Sequence, residues 1–511
     1  MLIERLFSGD TRERHGSFLL IFSVALVARI LVYALLPLDW NWDSYHHWQI
    51  SYLTLNIGLG QGRMWDLNGS EYYWGVIPHL VQAFLLWLFS TASMTPFRIF
   101  NMILGSFNAY LVFLVGKNYS NIKVGTFAGM LFAVFPIAVV YDTIAMQETT
   151  ALFFALLSVY FFSEHPVLSG VFLALAAQSR IEFWLVSIIF IVGFIIVERA
   201  NQRVIPFISG WIPVTAVFCW FFATRTSNPV YPLYWSLYNT FGGWSEGGRG
   251  APFFDLAVKW ITTKLQVMPF KPTGIILLAS GVLMIGVFIH MSLRRWSRYP
   301  LPLFFMSSLI VLGPIFVPYF ALRQDLLLLM LRMSIPVAAI GSVLAMYLIS
   351  AHASSGRARG FRSIHLEKIV ILVTLASYLF IVPAYGQFQH NPADISKAAD
   401  EGARYYEGGT VVSDYPILNY MIVTRWSLSP HQILSNHYSP AYYGETDPIE
   451  FARWLEGNNV TMWIYANEEA EQVWSALNSS YPDLLSHRLT MYDIRFYSVN
   501  QTRIKQITMN K

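Results

Sequence analysis

Cysteine is nearly absent. Cys219 is the one thiol in 511 residues, so a disulfide framework is excluded. Charge is scarce as well. Charged side chains make up 13% of the chain, about half the share usual in soluble domains. The small basic excess of +4 is spread over separate loops, without the concentrated basic face that nucleic-acid binding needs. No internal repeat or low-complexity tract is visible, and no paired halves of the kind many transporters carry. The glycine-rich stretch at 242–250 lacks the Lys-Ser/Thr ending of a nucleotide phosphate loop. The first apolar run is too long for a signal-peptide core and has no small-residue cleavage site, so it is expected to remain as an uncleaved helix.

What is present is apolar. Hydrophobic residues make up 55% of the chain and aromatics 16%. They fall in runs at roughly 17–37, 98–116, 124–141, 149–163, 167–179, 183–197, 204–222, 273–291, 302–320, 326–350 and 368–385, the pattern of repeated bilayer crossings. The stretch Val76 to Phe89 is ambiguous, and charge decides it. If 76–93 lies in the outer interface, the basic residues near Arg12, Lys117, Arg203, Arg295 and Arg359 all fall on the cytoplasmic side, as the positive-inside rule requires. The expected fold is an α-helical polytopic membrane protein of about eleven transmembrane helices. Its membrane domain covers 1–386, with a long outer loop at 38–97, and a small extracytoplasmic α/β domain covers 387–511. The N-terminus is expected in the cytoplasm.

Local signals fill in the outer parts. Tyr45–Gly58 reads as an amphipathic helix lying on the membrane. The glycine-rich stretch suits a loop that orders on ligand binding. In the tail, 410–414, 460–465 and 491–499 read as strands. Asp447-Pro448-Ile449-Glu450 reads as a helix start, with an Asp cap and Pro at the first position. A further helix is expected at 468–477.

Asp43 follows the first span directly, among aromatics and next to His46 and His47. A carboxylate at the membrane edge is placed to act as a general base on a membrane-lodged substrate; the alternative is an acid that caps the next helix. His46 and His47 lie near the Asp43 face of a helix, and no wider ligand set points to a metal. Asp142 and Glu148 bracket the second outer turn and converge only if it bends; otherwise one caps the next helix. Arg180 and Glu182 interrupt an apolar stretch, as site residues or as a self-neutralising pair. Arg323 and Arg332 suit a lipid phosphate, which guanidinium binds bidentately; interfacial anchoring is the alternative.

Other features come in a recognisable order. Pro78-His79-Leu80 opens a short apolar helix. Phe97-Arg98 precedes a span with Gly105. Leu131–Pro136 leads into the acidic turn ending at Glu148, and Ser179-Arg180 follows a small-residue helix. With Asp43 ahead of them, these residues resemble the GT-C superfamily of membrane glycosyltransferases, which includes protein mannosyltransferases, the aminoarabinose transferases of lipid A and oligosaccharyltransferases. The likeness is best over residues 15–200. One departure is the single acid of Trp42-Asp43-Ser44, where protein mannosyltransferases have a paired Asp-Glu.

The resemblance implies transfer of a sugar from a polyprenyl- or dolichyl-phosphate carrier to an acceptor hydroxyl on the outer or lumenal face, with inversion. Under it Asp43 is the general base. Arg323, Arg180 and Arg332 meet the departing phosphate, and Asp142, Glu148 and His46 orient acceptor or sugar. The partners implied are the bilayer, the lipid-linked donor and a glycan, lipid or protein acceptor. No cofactor is indicated beyond the lipid-phosphate-linked sugar, and metal need is undetermined. Two other readings stay open: a polysaccharide polymerase or ligase, and a transporter or flippase of lipid-linked sugars.

Overall fold

A computed structural model of the chain describes residues 11–56, 74–198, 202–241, 252–267, 300–322, 327–354, 366–413, 415–434, 448–465, 479 and 481–509. The expected span at 273–291, the expected helix at 468–477, the glycine-rich stretch at 242–250 and Arg323 lie outside them. The chain divides into two compact units. One comprises Met1–Leu35, Tyr72–Pro78 and Arg98–Tyr385; the other comprises Leu36–Glu71, His79–Phe97 and Gly386–Lys511.

The first unit is helical. Among the described residues, five helical stretches are long and apolar enough to cross a membrane: Gly16–Leu35, Thr95–Tyr119, Val204–Thr226, Leu331–Ser350 and Ile369–Tyr405. A sixth is formed by Ile122–Ala133 with Pro136–Asp142, bent by 58° at the join. The run at 124–141, expected as one span, is thus broken, and the cause is local. Pro136 has no N–H and forces the residue before it out of the helical region. Phe135 is accordingly extended (φ −72°, ψ 113°), and Pro136 opens the second segment at its first position. Shorter apolar helices include Glu148–Phe161, Pro166–Ala177 and Glu182–Ile195, with Ile77–Leu88 lying mostly in the second unit. Ile77–Leu88 has 12 residues, a reach of about 18 Å against the ~30 Å of a bilayer core.

Two helices of this unit approach through glycine. A Cβ on Gly170, in Pro166–Ala177, would strike the Phe207 carbonyl oxygen and come within 2.8 Å of the Trp211 amide nitrogen. A Cβ on Gly210, in Val204–Thr226, would strike the Val167 carbonyl in return. Small residues that let backbones touch are a common device for packing helices in lipid, where burial of apolar side chains gives little drive. Phe162, Phe190, Phe194 and Phe207 fill the space beside this crossing, with the Phe162 and Phe194 rings 4.4 Å apart.

The second unit holds a five-stranded sheet in the order β2-β1-β3-β5-β4. The strands are β1 Thr410–Val412, β2 Ile433–Leu434, β3 Val460–Tyr465, β4 Leu485–Met491 and β5 Ile494–Val499. β1 lies parallel to both β2 and β3, β5 runs antiparallel to β3, and β4 runs antiparallel to β5. The helices Pro416–Trp426 and Pro448–Gly457 lie between the parallel strands in sequence. Phe451, Leu455, Trp463, Tyr497 and Ile504 are buried in one core with Val412 and Leu434. The turn from β4 to β5 is tight. Tyr492 and Asp493 both take positive φ, 52° and 63°, as a two-residue type I′ turn requires. Asn-Gly is the favoured pair there, so a tyrosine in this conformation stores strain on the order of 1 kcal/mol.

The first helix of the loop expected at 38–97 belongs to this second unit. Helix Trp42–Asn56 matches the expected helix closely in extent, but it is not the amphipathic surface helix the sequence suggests. Ten successive residues, Ser44 to Leu53, are buried. Tyr45 and Trp48 pack edge-on against Tyr420. Asn419 Nδ2 donates to Gln49 Oε1 at 2.9 Å, and Trp48 Nε1 donates to the Ala92 carbonyl at 2.7 Å. Just upstream, the Leu38 backbone and the Gln389 amide exchange two hydrogen bonds of 3.0 and 2.7 Å. The helix is sheathed by residues from the far end of the chain, which no local periodicity can reveal.

The glycine crossing is testable. Gly170→Ala and Gly210→Ala are each predicted to destabilise the protein by about 1–3 kcal/mol, the usual cost of overpacking. Gly16→Ala, where an added Cβ meets nothing within 4 Å, is predicted to be neutral or stabilising by up to about 1 kcal/mol. Thermal unfolding in detergent checks this; equal effects at the three sites would show that the crossing does not depend on close approach.

Candidate active site

The turn between Asp142 and Glu148 is held in place by one helix face. Along Thr95–Tyr119, the positions Arg98, Asn101, Gly105 and Asn108 follow each other at helical spacing. Arg98 Nε donates to the Thr143 carbonyl at 2.8 Å. Asn101 Nδ2 donates to the Ile144 and Met146 carbonyls, both at 2.9 Å, and Asn108 Nδ2 to the Thr149 carbonyl at 3.0 Å. Gly105 leaves room beside them: a Cβ there would overlap the Asp142 carboxylate and lie 2.7 Å from Arg29 Nε.

Arg29, in the first helix and fully buried, ties this region together. Its Nε and Nη2 donate to Asp142 Oδ2 at 3.0 and 2.6 Å. Its Nη1 donates to the Ala25 carbonyl at 2.8 Å and to the Ala133 carbonyl at 3.2 Å, the latter at the break before Pro136. Thr149 Oγ1 donates to Asp142 Oδ1 at 2.5 Å. Both carboxylate oxygens of Asp142 are therefore engaged within the protein.

Glu148 sits at the other end of the turn, at the first position of helix Glu148–Phe161. Its Oε1 accepts from Arg180 Nη1 at 2.9 Å and lies 3.4 Å from Arg332 Nε. Arg180 also holds Glu182 with a fork of two bonds, Nε to Oε2 at 3.1 Å and Nη2 to Oε1 at 2.7 Å. Arg332 comes from the 3₁₀ turn Leu331–Ser334, between Leu327–Met330 and the long helix from Ile335. Two tyrosines hold that break: Tyr385 donates to the Leu328 carbonyl at 2.6 Å and Tyr141 to the Leu329 carbonyl at 3.0 Å. A cavity of about 30 Å³ lies among Glu148, Arg180, Glu182 and Arg332, enough for a water or two. Glu148 Oε2 faces no hydrogen-bond partner among the described residues. Two guanidiniums and two carboxylates balance formally, so an anion entering here must take over arginine bonds now made to glutamate.

Asp43 belongs to the other unit. It is half-buried, in the first turn of Trp42–Asn56, where the helix dipole favours negative charge. It is not the cap. Asn41 is, its Oδ1 accepting from the Asp43 N–H at 2.9 Å. His46 is buried in the same helix. His47 Nδ1 lies 3.1 Å from His79 Nε2, so one ring donates and the other presents a bare nitrogen. Among the described residues, no three His, Cys, Asp or Glu side chains come together as a metal site.

The structure thus brings together Glu148, Arg180 and Arg332 from three distant stretches, and it sets Asp142 in a separate pair with Arg29. Sequence reasoning passed over Arg29, Asn101, Asn108, Tyr141 and Tyr385. The first three left a signal. A lone arginine inside a first span needs a buried partner, and asparagines in register on an apolar helix mark a face that bonds something non-helical.

No family model matches the chain, and no curated sequence does. Solved membrane-protein structures share its fold. It is similar to the oligosaccharyltransferase of Archaeoglobus fulgidus in the apo form, with a TM-score of 0.52 and 13% identity over 91% of this chain and 71% of that one. It is similar to ArnT from Cupriavidus metallidurans in the apo state, with a TM-score of 0.52 and 14% identity over 96% of this chain and 98% of that one. The same ArnT bound to undecaprenyl phosphate gives a TM-score of 0.52 and 14% identity, covering 94% and 98%. At these identities the likeness is one of fold.

The Arg29–Asp142 pair yields a prediction. Arg29→Met alone leaves a buried carboxylate without its cation and is predicted to cost about 3–5 kcal/mol. Arg29→Met combined with Asp142→Leu is predicted to recover most of that loss. Thermal midpoints in nanodiscs decide it, and a double variant as unstable as the single one would show that the pair is not the reason.

Proposed function

We propose that the chain is a membrane glycosyltransferase that moves a sugar from a polyprenyl-phosphate carrier to an acceptor hydroxyl on the outer or lumenal face, with inversion. The observation that carries this reading is the convergence of Arg180 and Arg332 on Glu148, in a fold whose Cupriavidus representative was solved bound to undecaprenyl phosphate. In the full architecture that goes with it, about eleven spans over 1–386 carry a cytoplasmic N-terminus, and the α/β domain over 387–511 lies outside.

The chemistry needs a base and a cationic receiver for the leaving group. Asp43 takes the proton of the acceptor hydroxyl as that oxygen attacks the anomeric carbon. The bond from that carbon to the phosphate oxygen breaks on the opposite side, and its electron pair leaves with the phosphate. Arg332 and Arg180 meet the charge that develops there, with Arg323 as a third cation. The contact of 3.4 Å between Arg332 and Glu148 is the one that yields most easily to the incoming phosphate. Glu148 then holds the arginines in position and, with His46, orients the reacting groups. Asp142, engaged by Arg29 and Thr149, acts at one remove by fixing the turn that presents Glu148.

Transfer from radiolabelled polyprenyl-phosphate sugars in nanodiscs tests the reading. Asp43→Asn is predicted to lose about 100- to 10,000-fold in kcat while still binding donor. Arg332→Met is predicted to lose about 100- to 1,000-fold. Equal transfer by wild type and Asp43→Asn removes Asp43 as the base. Donor that crosses the bilayer without being transferred by the wild type makes the protein a flippase instead.

A further inference from the structure

An open cavity of the second unit is lined by residues that have no role assigned so far. Its volume is about 390 Å³, within the ~300–1,000 Å³ of ligand sites. Trp42, Tyr415 and Tyr492 line it together with Asn391 and Asp394. Trp42 and Tyr492 are exposed, at 37% and 47%, unusual for rings with so much apolar area to bury. The Trp42 and Tyr415 rings meet edge to face at 4.5 Å. The polar groups stand among the rings: Asn391 Nδ2 lies 3.3 Å from the Tyr415 hydroxyl, and Asp394 holds Lys397 at 3.2 Å.

Two further facts mark this place. The strand order β2-β1-β3 means the chain leaves β1 in one direction to form β2 and returns past it to form β3. Open α/β sheets bind ligands outside the carboxyl ends of their strands at such a switch point. Tyr415 follows the carboxyl end of β1. Tyr492 and Ile494 stand at the same edge of the sheet, since Arg495 of β5 pairs with Tyr465 at the end of β3. The second fact is strain. Tyr492 is held in a left-handed conformation where Asn or Gly would sit at ease, and such outliers gather at ligand sites.

We propose that this cavity is a saccharide subsite, with the rings of Trp42, Tyr415 and Tyr492 against the C–H faces of a sugar and with Asn391 and Asp394 bonding its hydroxyls. Flat aromatic faces interleaved with planar amide and carboxylate groups match a ligand that is apolar on its faces and hydroxylated at its edge. Burial raises the Tyr415 phenol above its ordinary value, partly offset by Asn391, so its hydroxyl remains a neutral donor at neutral pH. Trp42 adjoins Asp43 in sequence, and the bound saccharide is therefore the acceptor. That last assignment rests on the transferase reading; the binding does not.

The test uses the full chain in nanodiscs. Saturation-transfer NMR is run with a panel of neutral oligosaccharides of glucose, galactose, mannose and N-acetylglucosamine, and with unstructured peptides as the competing class. The expected result is binding of at least one saccharide by the wild type. Affinity should fall about 3- to 10-fold in Trp42→Ala and in Tyr492→Asn. Tyr492→Asn should at the same time keep or raise the thermal midpoint, since it relieves the left-handed tyrosine; a purely structural tyrosine would not separate these two readouts. The proposal is overturned if no saccharide binds, if peptides bind in their place, or if Tyr492→Asn binds as the wild type does. In the transfer assay, an unchanged acceptor KM in Tyr492→Asn with active wild type removes the subsite and leaves the transferase. Saccharide binding lost in Tyr492→Asn without any transfer by the wild type leaves the subsite and removes the transferase.

Discussion

Asp142 is a carboxylate almost without access to water, and Arg29 is the cation that makes this tolerable. An isolated charge in such surroundings costs several kcal/mol. Arg29 does more than cancel it. By also bonding the Ala133 carbonyl, it satisfies backbone left open where Pro136 breaks the helix. One side chain from the first helix thus permits both a buried acid and a bend of 58°. The turn that follows, with Glu148 at its end, depends on both.

The same constraint recurs at two places where this unit leaves regular helix. Backbone N–H and C=O groups away from water must find partners inside the protein. Arg98, Asn101 and Asn108 supply them for the turn before Glu148, and Tyr141 and Tyr385 for the break before Arg332. The charged residues offered for chemistry sit beside these breaks: Glu148 after the turn, Arg180 between two short helices, Arg332 on the 3₁₀ turn. Helix interiors bond only themselves, so a membrane fold that needs charge at a defined point must interrupt its helices there and then support the interruption.

Much of the fold was legible because its signals are local. Apolar runs located helices such as Thr95–Tyr119 and Val204–Thr226, Pro448 after Asp447 located the start of Pro448–Gly457, and the stretches at 410–414 and 460–465 located β1 and β3, whereas the single strand expected at 491–499 is the end of β4, a turn at Tyr492-Asp493 and then β5. The charged candidates Glu148, Arg180 and Arg332 stood out because charge in an apolar run is rare. What stayed hidden was pairing. Arg180 bonds both its neighbour Glu182 and the distant Glu148, and only the first could be read from spacing. Asp142 and Glu148 were expected to converge only if their turn bends, and each is held by an arginine from elsewhere. Helix Trp42–Asn56 looked amphipathic because its coat of Asn419, Tyr420 and Ala92 lies far off in sequence. Arg323 and the glycine-rich stretch lie outside the described residues.

That coat has a consequence for how the protein is made. Gln49 bonds Asn419 across 370 positions, and Leu38 bonds Gln389 across 351. At a synthesis rate of about 5–20 residues per second, the early partner waits some tens of seconds for the late one. During that interval Trp48 and Tyr45 lack the cover of Tyr420. A ribosome that stalls late, or a chain cut before Asn419, leaves a nearly complete bundle with an uncovered aromatic helix, the kind of surface that chaperones hold and quality-control proteases read.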